Sequence, residues 1–332
     1  MMDLTHRTIL LTGAGGFLGG AVRRALLARG VPREIIVTPR SAEYDLRDPQ
    51  TCRTLFQDVF EGRDGGVIIH CAATSGGVGF HRDQPSDALL DNVMMATSLV
   101  KGALEIGLAE RGATIVGVGS MCAYPASCAQ PLHEETLWEG YPAQPTAPYG
   151  VAKRLLWQAL DSAHRQFGLR SSFVSLSNLY GPGARFDPDR SNVVAAMIDR
   201  VLQASRGEAS HIICWGSGNP TRDFLFVDDA AEAVVRAAER IEAPDPVNIG
   251  AGVETSIREL VETIRNDIGW GGEIRWDASK PDGAPRVLVE TTKARDLLDW
   301  TPSVSLRDGL KRTIAWRRST LGASESAEHD VS

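Results

Sequence analysis

The chain has 332 residues, 43% hydrophobic and 23% charged, the balance of a folded globular protein rather than a low-complexity or disordered one. Its formal net charge of −7 argues against a nucleic-acid partner, which needs a basic face, and no apolar run approaches the roughly 20 residues of a membrane span. The five cysteines (Cys52, Cys71, Cys122, Cys128, Cys214) are odd in number and lack C-x-x-C spacing. Neither a disulfide framework nor a metal site is expected, and reduced thiols in a cytoplasmic protein are.

In chain order, Arg7–Thr12 ("RTILLT") reads as a buried strand and Phe17–Arg29 as a helix ended by Gly30. Glu34–Thr38 reads as the next strand, and "PQTCRTLFQDVF" as a helix opened by Pro49. Gly66–Ala73 is a third strand, Ser86 to Ala109 a long helix and "ATIVGVGS" a fourth strand. A helix from about Tyr149 to Gln166 precedes the strand "SSFVSLS". Alternating strands and helices with continuous apolar strands predict an α/β, doubly wound parallel sheet, a Rossmann fold. After Tyr180 the chain is more irregular: an amphipathic helix, the strand "EIRW" and a helix at "SLRDGLKRTIAW" follow "VNIGAG". The division expected is a dinucleotide-binding domain at 1–180 plus about 224–250, a smaller C-terminal substrate lobe at about 181–223 plus 251–318, and a disordered tail at 319–332.

"TGAGGFLGG" follows the first strand and opens the first helix at Phe17 and Leu18. Gly13, Gly16 and Gly19 suit a turn where backbone N–H groups and a helix N-terminus meet a pyrophosphate. An NAD site usually offers an acid to the ribose at the end of the second strand; in this chain Arg40 stands there, which suits a 2′-phosphate. NADP(H) is favoured over NAD(H), with Asp45 and Leu46 beside the adenine. "YGVAK" puts Tyr149 and Lys153 four apart on one helix face. An ammonium near a phenol lowers its pKa and makes it a usable acid–base for an alcohol–ketone interconversion.

These parts, with "HCAA", Asn92 in "DNVMMA", Ser120, "NLYGPG", "RDFLFVDDAAEA" and "LLDWTPSVSLRDGL", resemble the extended short-chain dehydrogenase/reductase family up to about Trp316. The resemblance implies that Ser120 and Tyr149 hydrogen-bond the reacting oxygen, Lys153 orients the nicotinamide ribose and Asn92 supports the proton relay. It also places Ala72 and Ala73 against the cofactor.

"HCAATSGGVGF", "GSMCAYP", "WGSGNPTRDFLFVDD" and "ASKPDGAPR" are similar to the branch that epimerises and reduces GDP-linked 4-keto-6-deoxy sugars. That similarity implies a nucleotide-diphosphate-sugar substrate met by Asn178, Asn192, Trp215, Arg222 and Lys280. It implies Cys122 as the base that epimerises C3 and C5. The histidine that supplies the opposing acid in that branch is replaced by Asn192, and a carboxamide cannot act as a general acid. A 4-ketoreductase is therefore favoured, with epimerisation left open. His81 and His133 are the histidines near enough in sequence to substitute, and both are expected to be solvated loop residues. A redox-neutral epimerase and a non-catalytic dinucleotide sensor stand as alternatives. The two long helices are expected, by the same resemblance, to pair across a two-fold axis as a four-helix bundle in a homodimer.

Overall fold

A computed structural model describes residues 1–329 except 64, 188 and 189, with side chains to 322. The first half alternates as β1 (Ile9–Thr12), α1 (Phe17–Ala28), β2 (Ile36–Val37), α2 (Pro49–Phe60), β3 (Val67–His70), α3 (Val78–Asp83), α4 (Pro85–Glu105), β4 (Thr114–Ser120), α5 (Ala147–Phe167) and β5 (Arg170–Leu176). The main sheet is six-stranded and parallel, in the order β2-β1-β3-β4-β5-β9, where β9 is Pro246–Ile249. Its apolar strands are covered on one face by α1 and α7 (Val227–Arg240), with Leu26, Val234 and Ala237 in a shared core. The other face is covered by α2, α4 and α5 through Phe56, Leu99 and Leu160. This is the doubly wound architecture expected from continuous apolar strands.

The remaining elements are β6 (Asn178–Tyr180), α6 (Val193–Arg206), β7 (His211–Trp215), β8 (Thr221–Phe226), β10 (Glu254–Ser256), α8 (Ile257–Ile268), β11 (Glu273–Asp277), β12 (Arg286–Val287), α9 (Thr292–Leu298) and α10 (Leu306–His329). β8 pairs with β6, β10 and β12, while β7 pairs with β11. α6, α8 and α10 enclose a separate core around Ile198, Val261 and Leu310.

Four expectations change. The strand at Glu34–Thr38 shortens to β2, because Arg33–Ile35 forms a 3₁₀ turn after Pro32 and β2 is an edge strand beside β1. Residues 224–226 complete β8 and straddle the expected boundary: Phe224 and Phe226 bury in the lobe core, whereas Leu225 buries in the main core with α7. α9 joins the main domain instead of the lobe, because Ala294, Leu298 and Trp300 bury against the α7 core. The tail expected at 319–332 is helical as far as His329: α10 does not stop at Trp316, and Leu321 packs on the lobe core. Residues 330–332 lie outside the described residues.

One buried carboxylate ties the lobe to the main sheet. Asp223, in β8, is fully buried. Its Oδ1 accepts from Ser177 Oγ at 3.0 Å and from Ala251 N at 2.8 Å, and its Oδ2 accepts from Gly252 N at 2.9 Å. Ser177 follows β5 and Gly252 follows β9, so three neighbouring chain segments converge on one side chain. An amide in its place would turn an NH₂ toward an N–H and leave a buried donor without an acceptor. Asp223→Asn is therefore expected to lower stability by about 2–3 kcal/mol in urea unfolding, a loss of buried charge-assisted bonds.

Candidate active site

The glycine loop is built by close backbone approach. Gly13 has φ +70°, and a Cβ there would lie 2.6 Å from Ala72 N; one on Gly19 would lie 2.1 Å from Gly13 O. Only hydrogen at these positions lets the loop between β1 and α1 lie flat against the end of β3. Thr12 Oγ1 lies 2.9 Å from His70 Nδ1 and accepts from Ala72 N at 3.3 Å, so the two strand ends are cross-linked. Burial pushes His70 down to about 3, so it makes this contact as a neutral ring.

Above the loop runs a groove of about 740 Å³ that reaches Gly13, Gly16, Arg40, Asp45, Leu46, Ala72 and Ala73. Two carboxylates line it, Asp45 and Asp91, and Arg47 meets them at 2.8 Å and 3.1 Å. Arg40, Arg23 and Arg185 line the same groove. A glycine cradle beside cations whose acidic neighbours are already neutralised by Arg47 fits a dinucleotide diphosphate. Arg23 and Arg185 were not evident from spacing: one sits on an outer helix and the other comes from the loop after β6.

A second cavity, of about 810 Å³, adjoins the groove at Cys71 and Ala73. It is lined by Ser120, Cys122, Tyr149, Lys153, Asn178, Asn192, Trp215 and Arg222, which approach from both lobes. Phe17 and Leu18, expected at the cofactor, face this cavity and not the groove. Gly150 explains why the reacting groups meet. A Cβ there would lie 2.1 Å from the Cys122 carbonyl oxygen, so α5 docks directly on the turn after β4. Arg154, one turn on, donates from Nε to the Ala123 carbonyl at 2.6 Å and locks that docking. Ser120 Oγ accepts from Cys122 N at 3.2 Å and keeps its own proton free for a ligand in the cavity.

The electrostatics differ from the expectation that Lys153 lowers the Tyr149 pKa. Lys153 Nζ lies 5.4 Å from the centre of the Tyr149 ring, over its face. Desolvation dominates and raises the phenol pKa, with the nearby Cys122 adding to the rise and Ser75 opposing it. Tyr149 therefore holds its proton, as an acid should. Lys153 is itself buried, and desolvation pulls it down to about 8. Burial pushes the neighbouring Cys71 thiol up to about 12, although Lys153 pulls it the other way.

Other sequence-predicted residues have different employment. Asn92 is buried, donates to Thr74 O and Ala88 O at 2.8 Å each, and accepts from Thr74 N at 3.2 Å. Its amide clamps the loop after β3, and it lines neither cavity nor groove, because every polar atom is already used by backbone. Asn192 is the N-cap of α6: Oδ1 accepts from Ala195 N at 3.0 Å and Nδ2 donates to Leu179 O at 2.8 Å. Arg222 is not ion-paired with Asp223 or Asp282; it donates to the Thr221 and Ala284 carbonyls at 2.7 Å each. Lys280 lies outside the cavity lining, 5.8 Å from the ring centre of the exposed Trp215. His133 also lies away from the lining, whereas His81 is on it and buried, against expectation.

The NAD dependent epimerase/dehydratase family matches residues 9–250. The chain belongs to that family. GDP-L-fucose synthase 1 of Arabidopsis thaliana is 34% identical over 308 residues, 93% of this chain and 92% of its own. A GDP-6-OMe-4-keto-L-xylo-heptose reductase from C. jejuni shares the fold with a TM-score of 0.84 at 24% identity, over 96% of this chain and 99% of its own. A GDP-L-fucose synthetase from Naegleria fowleri, solved bound to NADP, shares it with a TM-score of 0.83 at 23% identity, over 97% of both. The family membership borne by the glycine loop and "YGVAK" thus holds along the chain, and the protein is an NAD(P)-dependent enzyme of the nucleotide-sugar oxidoreductase/epimerase class. No described helix is long and apolar enough to cross a membrane.

Lys153 gives a test with a definite sign. Its folded-state pKa of about 8 lies below the ordinary 10.5. Between those values the unfolded chain holds a proton that the folded one has released, so this group makes stability rise with pH there. Below pH 8 the charge is buried in full, a cost on the order of 3 kcal/mol. Lys153→Met is expected to unfold at higher urea at pH 7, to lose the extra rise in stability between pH 8 and 10.5, and to lose turnover by at least about 100-fold.

Proposed function

We propose that this enzyme is an NADP(H)-dependent 4-ketoreductase of a nucleotide-diphosphate sugar, GDP-linked, and that inversion at C3 or C5 is not part of its reaction. The observation that carries this reading is the contrast between two half-sites in one cavity. Ser120, Tyr149 and Lys153 open on the cavity where it meets the dinucleotide groove. Across it, Asn192 stands where an epimerase needs an acid, and its amide is spent on backbone. The GDP linkage and the reduction at C4 are suggested by the relatives and by the C. jejuni reductase. The 2′-phosphate is supported by Arg40 and by the neutralised acids of the groove.

Gly13, Gly16 and Gly19 would hold the cofactor at its diphosphate, and a bound dihydronicotinamide would supply the hydride for C4. Ser120 donates a hydrogen bond to the C4 oxygen and aligns the carbonyl. Tyr149, kept protonated by its desolvated setting, delivers its proton to that oxygen as charge builds on it. Lys153, charged at neutral pH, adds a positive potential over the face of the tyrosine ring and would hold the nicotinamide ribose. Arg222 and Trp215 line the same cavity and would meet the diphosphate and the base.

Cys122 favours a second reading, a redox-neutral epimerase, because its side chain also lines the cavity and can take a proton from a carbon beside a ketone. The two separate in one experiment. Incubated with a GDP-4-keto-6-deoxyhexose and NADPH in D₂O, the enzyme is expected to oxidise one NADPH per sugar reduced, with no deuterium at C3 or C5 by NMR. Deuterium at either carbon would overturn the reductase-only reading, and isomerisation without net NADPH oxidation would establish the epimerase.

A homodimer is proposed from the outer faces of α4 and α5. Leu90 and Met94, one turn apart on α4, are 53% and 46% exposed, and Leu155 on α5 is 37% exposed. Light scattering is expected to give twice the chain mass of 35.8 kDa at micromolar concentration. Paired Met94→Glu and Leu155→Glu changes are expected to halve it.

A further inference from the structure

We propose that Arg185, carried by the smaller lobe, is a ligand of the dinucleotide's diphosphate, so that the bound cofactor fastens the substrate lobe to the main domain. This rests on the dinucleotide reading of the groove above and deepens it.

Arg185 differs in origin from its neighbours in the groove. Every other residue lining the groove is Met95 or comes before it, in the main domain, whereas Arg185 comes from the segment after β6. The residues on either side of it, Ala184 and Phe186, are buried in the lobe core. Phe186 is held there by α10, with the Trp316 ring centre 5.8 Å away and the Arg317 guanidinium 4.6 Å from its own. The backbone at this point thus belongs to the lobe, while Arg185 itself is exposed and lines the groove of the main domain. Arg47 in the same groove is taken up by Asp45 and Asp91, but no carboxylate among the described residues pairs with Arg185. A guanidinium left open beside an anion-binding loop suits a planar, two-point contact with phosphate.

Two placements assign Arg185 to the diphosphate and not to the 2′-phosphate. Gly183, with φ +88°, brings its backbone to the start of α1: a Cβ there would lie 3.8 Å from Phe17 Cδ2, and Phe17 is the first residue of that helix. The N–H groups at this helix start are where the diphosphate is expected, and Arg185 is two residues on, roughly 7 Å of chain. Arg185 also lines a small cavity of about 250 Å³ with Phe17, Ser75 and Gly76, three residues that line the substrate cavity as well. It therefore stands at the end of the groove nearest the reacting centre. Arg40 instead follows β2, the edge strand on the other side of β1, where the ribose of the adenine end is expected.

The consequence lies in what else the lobe carries. Asn192, Trp215 and Arg222 belong to the same lobe and line the substrate cavity. Without ligand, the lobe is joined to the main domain through Asp223 and through Phe17, which packs against both cores. A diphosphate held by the glycine loop on one side and by Arg185 on the other adds a further tie of charge-assisted hydrogen bonds. Filling the groove thereby steadies one wall of the neighbouring cavity, and Arg185 is the side chain through which the two sites are coupled.

Two binding measurements on the full-length protein test this, and neither needs turnover. In titrations followed by nicotinamide fluorescence, Arg185→Gln is expected to weaken NADPH and NADH by the same factor, about 10-fold. Arg40→Gln is expected to weaken NADPH alone. Unchanged affinities in Arg185→Gln, or a loss confined to NADPH, would overturn the proposal. The second measurement is amide hydrogen exchange at saturating NADPH. In the wild type, exchange is expected to slow both in the glycine loop at 13–19 and in the lobe segment at 183–187. In Arg185→Gln, resaturated with NADPH, only the glycine loop is expected to be protected. A lobe segment that is not slowed in the wild type, or is slowed equally in the variant, overturns the tie between lobes. Arg185 is exposed, so the urea midpoint of Arg185→Gln without cofactor is expected to match the wild type. Should it move, Arg185→Lys carries both arms with a smaller loss. A wild-type enzyme that binds NADPH but reduces no 4-keto sugar refutes the proposed function alone, and the two binding arms still decide the role of Arg185.

Discussion

The site depends on one close contact between backbones. α5 meets the end of β4 with no side chain in between, because Gly150 has no Cβ to strike the Cys122 carbonyl oxygen. That contact sets how far Tyr149 and Lys153 stand from Ser120 and the turn that follows it. The other arrangements serve or extend it. Gly13 and Gly19 hold the loop after β1 flat against β3, so the dinucleotide groove ends where the α5 side chains begin. Asp223 then fastens the smaller lobe over the same place by accepting from segments that follow β5 and β9.

Burial does the chemical tuning in this site, more than pairing of charges. Tyr149 keeps its proton because the phenolate is poorly solvated, and Lys153 is pulled toward neutrality for the same reason. Both effects suit a donor that must surrender a proton only when charge develops on a substrate oxygen. Cations are instead spent where phosphates are expected: Arg40 has a long contact to Glu43 at 3.9 Å, and Arg222 donates to the Thr221 and Ala284 carbonyls. Cations placed apart from the desolvated Tyr149 suit the charge of a nucleotide-diphosphate sugar.

Cys122 and Asn192 show how a residue's employment limits the chemistry. Cys122 lines the cavity. The asparagine caps α6 and bonds the Leu179 carbonyl, so it is structural despite facing the same cavity. An N-cap of this kind is worth about 1 kcal/mol, and the amide cannot supply a proton. The position that an epimerase would devote to acid catalysis serves in this chain to hold a helix.

What the sequence determined by itself is whatever local patterning dictates. Continuous apolar strands between amphipathic helices require a covered parallel sheet, and α2 begins at Pro49 because Asp48 and Pro49 form a helix start in any context. The glycine spacing and the four-residue step from Tyr149 to Lys153 are likewise geometric facts of a strand–loop–helix and a helix. Tertiary structure decided what depends on distant partners. Lys153 could be placed beside Tyr149 from spacing, but only packing shows that it sits over the ring and that desolvation overrides its field. Asn92 and Asn192 carry the same side chain as any ligand-binding asparagine until their backbone partners are seen. His81 reads as a solvated loop residue because nothing within its own segment shows that it will be buried against Tyr149, which comes from a distant helix. α9 joins the main domain because its apolar side chains find α7, a choice made across more than fifty residues of chain. Periodicity is a property of neighbours in sequence, whereas burial, and with it proton affinity, is a property of neighbours in space.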